Sequence, residues 1–285
     1  MTDAPRTQEG VSAYAYTRFG VAGVGGATSV NTRASQFAQG SKLTLSGCNR
    51  NYVARGMFTH ATGLMPSGWA FAGLVGYRWA NEGVIDGTFY NSLSYFLAAE
   101  KRFGNHALSL VTFGSPTERG QQGASTEEAY WLANSHYYNP NWGYQAGEKR
   151  NARVVNDFEP TAILTWDWQI NDRSKLTTAA GFKYSMYSST ALGWAGDAYD
   201  PRPDYYKNLP SSIFDVYNPD INNPDYLAQN PYLLDQYNDL LDYWRASEAN
   251  RQINWDRMYY VNRANEAAGG EALYYQERRH NEQHM

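Results

Sequence analysis

Residues 69–80 read WAFAGLVGYRWA, with Trp69, Phe71, Gly73, Val75, Tyr77 and Trp79 at every second position. A period of two is the mark of a β-strand, whose successive side chains point to opposite faces. One face here is an apolar stripe with aromatic residues at each end. Ten steps of about 3.3 Å, tilted by about 40°, cover roughly 25 Å of membrane normal, the height of the apolar band on an outer-membrane barrel. The stretch predicts a strand long enough to cross a bilayer.

Working outward, the same form recurs. Thr88 to Phe103 joins His106 to Gly114 through Gly104-Asn105, and Tyr52 to Gly63 precedes the link 64–68. Ser41 to Arg50 sets Leu43 and Leu45 against Lys42, Thr44 and Ser46. Downstream, Phe158, Ala162, Leu164, Trp166, Trp168 and Ile170 alternate with Glu159, Thr161, Ile163, Thr165, Asp167 and Gln169. After the turn Asn171-Asp172-Arg173-Ser174, a second run puts Leu176, Thr178, Ala180, Phe182, Tyr184 and Met186 on one face. Soluble sheets use strands of roughly 5 or 6 residues, and these runs are about twice that. Short links at 64–68, 104–105 and 171–174 alternate with a modest loop at 81–87, a long one near 115–157 and a very long one near 190–268, as periplasmic turns alternate with extracellular loops in outer-membrane barrels.

The composition agrees. Only 18% of residues are charged while 42% are hydrophobic. Mean hydropathy is nevertheless −0.64, because 24 Tyr and 9 Trp carry much of the apolar share. Such rings suit wet interfaces and headgroup belts. A net charge of −4 provides no footprint for nucleic acid. Cys48 stands alone, which excludes an internal disulfide and a cysteine zinc cage. No run approaches the roughly 20 apolar residues of a spanning helix, so a membrane would be crossed by strands. The opening MTDAPR has no basic and apolar leader, and beside the strand pattern this reads as a chain whose front is missing.

The long loops carry local signals. Ser125-Thr126-Glu127-Glu128 has capping-box spacing before Ala129, Trp131 and Leu132, which predicts a short helix. Asn230-Pro231 opens a second, with Leu233, Leu234, Tyr237, Leu240, Leu241 and Trp244 at helical spacing. Tyr199 to Pro224 reads as irregular, solvent-facing chain. Gly270 to Met285 reads as a further strand.

No constellation for catalysis appears, and no cofactor is implied. His60, His106, His136, His280 and His284 lack metal-motif spacing, and His280 and His284 read as a solvated tail. Asp197, Asp200 and Asp204 are the best set for Ca²⁺, yet lack the EF-hand spacing and glycine, and read as a solvated loop. Glu100, Lys101 and Arg102 read as interface or lumen charges. Gly23, Gly25 and Gly26 are followed by no Lys-Ser/Thr and no helix pattern, so they read better as a turn than as a phosphate cradle.

Residues 22–42, AGVGGATSVNTRASQFAQGSK, run straight into the long strands. This resembles the last plug strand of a TonB-dependent receptor, where a Gly-rich turn and a short β segment ending in a Thr-Arg pair hand the chain to the first barrel strand. Residues 55–103 and 108–122 are similar to the early barrel of Bacteroidetes-type receptors. The resemblance implies a plug end over residues 1–40, with a junction at Gly25, Gly26, Thr32 and Arg33, and the beginning of a barrel over 41–285. It implies an all-β transmembrane antiparallel barrel, about 7–8 long strands of roughly 22, with helices in long extracellular loops. Outer-membrane lipid, a TonB energy-transducing complex reached through the missing front, and a surface lipoprotein follow as partners. The chain departs from the family in having no leader, no coupling box, few strands and no terminal aromatic residue, so it reads as a fragment.

The expected function is surface capture and energy-coupled import of a nutrient (a glycan, peptide or siderophore-like substrate) without chemistry on it. Capture is expected from loop aromatics, which offer flat stacking area: Tyr130, Trp131, Tyr137, Tyr138, Trp142 and Tyr144 in one loop, Tyr199, Tyr205, Tyr206 and Trp244 in the other. A passive porin or adhesin, and a secreted β-rich glycan-binding protein, are the rival readings.

Overall fold

The computed structural model describes residues 8–12, 16–17, 20–21, 23–196, 198–217 and 223–284. The fold is mostly β and antiparallel. At the start, β1 (Gln8–Val11), β2 (Tyr16–Thr17), β3 (Gly20–Val21) and β4 (Ala27–Val30) form two small hairpin pairs, β1 with β4 and β2 with β3. The main sheet begins with β5 (Gly40–Gly47), β6 (Ala54–Ala61), β7 (Trp69–Ala80), β8 (Tyr90–Phe103), β9 (His106–Gly114) and β10 (Thr117–Gly120). The hairpin β11 (Trp142–Gln145) and β12 (Glu148–Asn151) stands apart from it. The sheet resumes with β13 (Val154–Phe158), β14 (Thr161–Asn171), β15 (Ser174–Trp194) and β16 (Tyr274–His284).

Register reduces these ten strands to eight staves. β9 and β10 keep one register against β8, from Phe103↔His106 to Tyr90↔Arg119. β13 and β14 keep one against β15, from Val155↔Ser189 to Gln169↔Lys175. Each pair is a single stave interrupted beside a proline, Pro116 or Pro160, which has no N–H for the ladder. Hydroxyls gather at the first break, where Ser92 and Ser94 both meet Ser115 and Thr117 Oγ1 donates to the Ser115 carbonyl. Every stave pairs with its neighbour in sequence, so the sheet is a meander from β5 to β16.

The connections sort by end. At one end lie 62–68, 104–105 and 172–173; at the other lie 48–53, 81–89, 121–153 and 195–273. The last two hold the β11–β12 hairpin and five helices: α1 (Glu127–Ala133), α2 (Ser212–Tyr217), α3 (Pro224–Gln229), α4 (Tyr232–Ala246) and α5 (Trp255–Ala267). Among the described residues no helix is long and apolar enough to cross a membrane.

The loop expectations need correcting in four places. The cap of α1 is Thr126, whose Oγ1 accepts from the Ala129 N–H at 3.2 Å, because Ser125 Oγ is engaged by Asp204 at 2.9 Å and Glu128 reaches Ser211. The stretch expected to be irregular contains α2. α5 was not foreseen: only Trp255 and Met258 are buried on it, too narrow a stripe to stand out. β15 runs to Trp194, past the expected loop start near 190, because β13 and β16 pair with its far half.

The two faces of the sheet differ. One, the occupied face, packs Ala61, Ala70, Ala72, Leu74, Phe96, Ala98 and Val111 around Ala34. The other, the bare face, carries the apolar stripes, and its large side chains from β6 to β9 and along β14 stay exposed. Val75 is 53% exposed, Leu97 54%, Leu110 50% and Phe182 56%, against 0% for Ala70 and 2% for Phe96 on the occupied side. Cross-strand rows on the bare face mix sizes, as in Phe71-Ala99-Leu110-Leu164-Ala180. Rings collect near the short-turn end: Trp69 stacks on Phe71 at 5.5 Å, and His106 on Phe103, Trp166 and Trp168 at 5.4, 5.8 and 5.7 Å. Lys101 Nζ lies 5.1 Å above the Trp69 ring and donates to the Ser67 carbonyl at 2.7 Å, its stem along the apolar face and its charge at the turn.

Candidate functional site

Two regions gather functional side chains: the strip where residues 27–39 meet the occupied face, and the ordered layer built by the long loops.

In the strip, Gly26 sits at φ +87° in a tight turn, its N–H donating to the Gly23 carbonyl at 2.9 Å. A side chain there would strike the Val11 carbonyl. Arg33 forms an ion pair with Asp167, which also takes Lys175 at 3.0 Å and Thr177 at 2.6 Å. Ser35 bonds Glu100 and Arg102, and Phe37 meets Phe96 at 5.4 Å between ring centres. Gly25 and Thr32 flank these contacts.

The loop layer is held by aromatic rings whose polar tips bond distant backbone, the pairing that lets Tyr and Trp be buried. Tyr138 Oη donates to the Arg251 carbonyl at 2.8 Å, Trp244 Nε1 to Asn208 at 2.9 Å and Trp255 Nε1 to Arg150 at 3.2 Å. Tyr138 meets the Trp244 edge at 6.0 Å, with Ala129, Leu132 and Leu209 completing that core. A second core joins Ala152, Ile253, Trp255 and Met258. Trp142, fully buried, lies against Gly87. Burial, aided by the Asp204 charge and opposed by Arg251, pushes the Tyr138 phenol well above its ordinary value. Burial likewise raises the Asp204 carboxyl, despite its bond from Ser125 and the nearby Arg202.

The ten aromatic positions singled out from the sequence therefore divide. Tyr138, Trp142 and Trp244 are packing residues inside the layer. Trp131, Tyr137, Tyr144, Tyr199 and Tyr206 are exposed; Tyr130 and Tyr205 are half-buried. Arg245 covers the Trp131 ring at 4.3 Å, Tyr205 and Tyr206 meet edge to face at 4.8 Å, and Tyr130 faces His136 at 5.7 Å. The exposed rings do not share one wall. Only Tyr199 and Trp244 of the ten line a cavity of about 520 Å³, with Lys207, Tyr243, Gln252 and Arg257 among the other lining residues. Lys207, Gln252 and Arg257 came from stretches with no motif, Tyr243 from the expected second helix but off its apolar spacing, and nothing in their spacing points to a common site.

Among the described residues no group of three or more His, Cys, Asp or Glu could hold a metal. Asp197 lies outside the described residues, Asp200 is engaged by Arg202 at 2.9 Å, and Asp204 by Ser125. His280 and His284 share a face of β16, with the His284 ring 4.9 Å from Tyr184.

No protein-family model matches the chain, and neither the curated proteins nor the solved structures include a match to it.

Proposed function

We propose that the sheet is part of the wall of an outer-membrane β-barrel and that the chain is a piece of a TonB-dependent receptor. In this reading residues 27–39 end a plug that lies against the inner wall, and the long loops capture a nutrient outside the cell. An inner-membrane TonB complex then supplies the energy for import, and no bond of the nutrient is made or broken.

The observation that carries the reading is the bare face. Aromatic side chains bury about 150–250 Å² when fully covered and aliphatic ones somewhat less, so about a dozen of both left half open expose roughly 1,000 Å² of apolar surface. A soluble monomer rarely exposes a patch beyond about 300–600 Å². In lipid the same face costs nothing to expose, and its ring cluster with Lys101 falls where a headgroup belt would lie. The segment on the occupied face supports a plugged barrel over an open pore, and the large bare face argues against a secreted binder.

The test is flotation with lipid vesicles followed by fluorescence with lipids brominated at mid-chain. The expected result is co-flotation with quenching of the tryptophans. A chain that stays monodisperse in water without detergent and is not quenched would overturn the reading.

A further inference from the structure

We propose that the cavity between α4, the 199–208 loop, the start of α5 and the start of β16 binds an acidic sugar, a ligand that combines a ring face, hydroxyl groups and a carboxylate. The proposal rests on the receptor reading in so far as it names what the receptor captures.

Four features of the cavity select this chemistry. Its volume, about 520 Å³, falls within the range of small-molecule sites and is of the size of one or two sugar rings. Gln252 lines it at 7% exposure, and its Oε1 has no hydrogen-bond donor. A buried amide oxygen calls for an O–H or N–H, which a hydroxylated ligand supplies. Lys207 and Arg257 also line it and, among the described residues, neither makes an ion pair. The one acid in the lining, Asp200, is already engaged by Arg202, so the cavity is left with unneutralised positive charge suited to a carboxylate. Tyr199 and Tyr243, 57% and 54% exposed, offer open ring faces for the apolar side of a sugar.

Other ligands fit less well. The N-terminus of α5 is capped by Asn254, whose Oδ1 accepts from the Arg257 N–H at 2.9 Å, so it offers a phosphate less than an open helix end would. A purely apolar ligand would leave Gln252 Oε1 unmet. The floor is firm, because Trp244 is 1% exposed and tied to Asn208. Little reorganisation should accompany binding.

The test is calorimetric titration of the full chain in detergent with digalacturonic acid, its neutral dimethyl ester and the dipeptide Asp-Asp. The expected result is saturable binding of the acid, at least about tenfold weaker binding of the ester, and none of the peptide. Lys207→Gln and Arg257→Gln, both at exposed positions, should each weaken binding of the acid about tenfold with an unchanged thermal unfolding curve. Gln252→Leu should weaken acid and ester alike. Equal binding of acid and ester, equal binding of the peptide, unaltered affinity in the cation variants, or no saturable binding would each overturn the proposal. Loss of uronate binding with lipid association intact defeats this inference alone; failure to associate with lipid defeats the receptor reading and leaves a binding result standing.

Discussion

The backbone N–H of Ser35 donates to Glu100 Oε2 at 3.0 Å, joining residues 65 positions apart. Glu100 is 1% exposed, and its other oxygen takes Arg102 Nε at 2.8 Å, while Arg102 Nη2 returns to Ser35 Oγ at 2.6 Å. This closed ring of bonds, with Arg33 on Asp167 beside it, fastens the N-terminal strip to the sheet. Glu100→Gln removes the charge and turns an acceptor toward a donor, at a cost of about 1–3 kcal/mol. Limited proteolysis should then cut within residues 27–39 several times faster than in the wild type. An unchanged rate would show that the ring does not hold the strip.

Gly87 sits at φ +69°, and a Cβ there would lie 2.0 Å from Trp142 Cγ. Its carbonyl also accepts from Asn151 Nδ2 at 2.8 Å, so the backbone has little room to withdraw. Gly87→Ala should cost about 2–4 kcal/mol, overpacking and left-handed backbone together. Near-UV circular dichroism should report the loss of the fixed Trp142 environment while the far-UV strand signal persists.

The faces of the sheet should respond in opposite ways to charge. Val75→Lys places an ammonium in the middle of the bare face, where a lipid-facing position would lose about 2–4 kcal/mol. Thr165→Lys puts the same group on the other side, two residues before Asp167 on the same face of β14. Urea titration of vesicle-bound protein should show a clear loss for the first and a small change for the second. Equal effects would remove the basis for a lipid-facing side.

Glu82 and Lys149 give the loop layer a pH dependence. Burial works against the Glu82 charge, but the bonds from Lys149 and the Gly87 N–H, with the Lys149 charge, outweigh it and hold the carboxyl below its ordinary value. At Lys149 burial opposes the charge and Glu82 again outweighs it, raising the amine. The depressed acid lends stability present above its unfolded pKa, about 4.3, and lost as pH falls through the folded value. The raised amine lends stability present below its unfolded value, about 10.4, and lost as pH rises through the folded one. Their side chains are 37% and 38% exposed, so the effect belongs to local opening and should leave Tm almost unmoved. Hydrogen exchange at residues 82–88 and 142–151, corrected for intrinsic rates, should be flat from about pH 5 to 9 and rise below about pH 4. Glu82→Gln should abolish the acid limb.

The wall of the fold was legible because alternation is a local signal. β7 and β9 begin and end where the period of two does, and the hairpin of β14 and β15 follows its Asn-Asp turn. The far half of β15 was not legible, since polar Ser188 and Thr190 break the alternation and are buried where Thr190 Oγ1 donates to the Ala152 carbonyl. α5 hid because it meets β11 and β16 with only two buried residues, and elsewhere ties itself down through the Asn262 amide on Leu273 and Tyr274. At the site, aromatic density drew attention to rings that turned out to be divided between interior packing and open surface. Lys207, Gln252 and Arg257 are ordinary polar residues in sequence, and only the folding of α4 and α5 over the 199–208 loop brings them to one cavity.

Pro116 and Pro160 lie at nearly one height in adjacent staves, between the rungs Phe113↔Thr161 and Thr117↔Asp157. Each removes a donor from the ladder, so the sheet carries a crease there. On one side of the crease stand β9 and β14; on the other stand β10, β13 and the end of β15, from which the chain enters the loop layer. β8 and β15 run through that line unbroken and pair with both halves of each interrupted stave, so the two gaps in the ladder are splinted from either side and the weakness is confined to one rung's height.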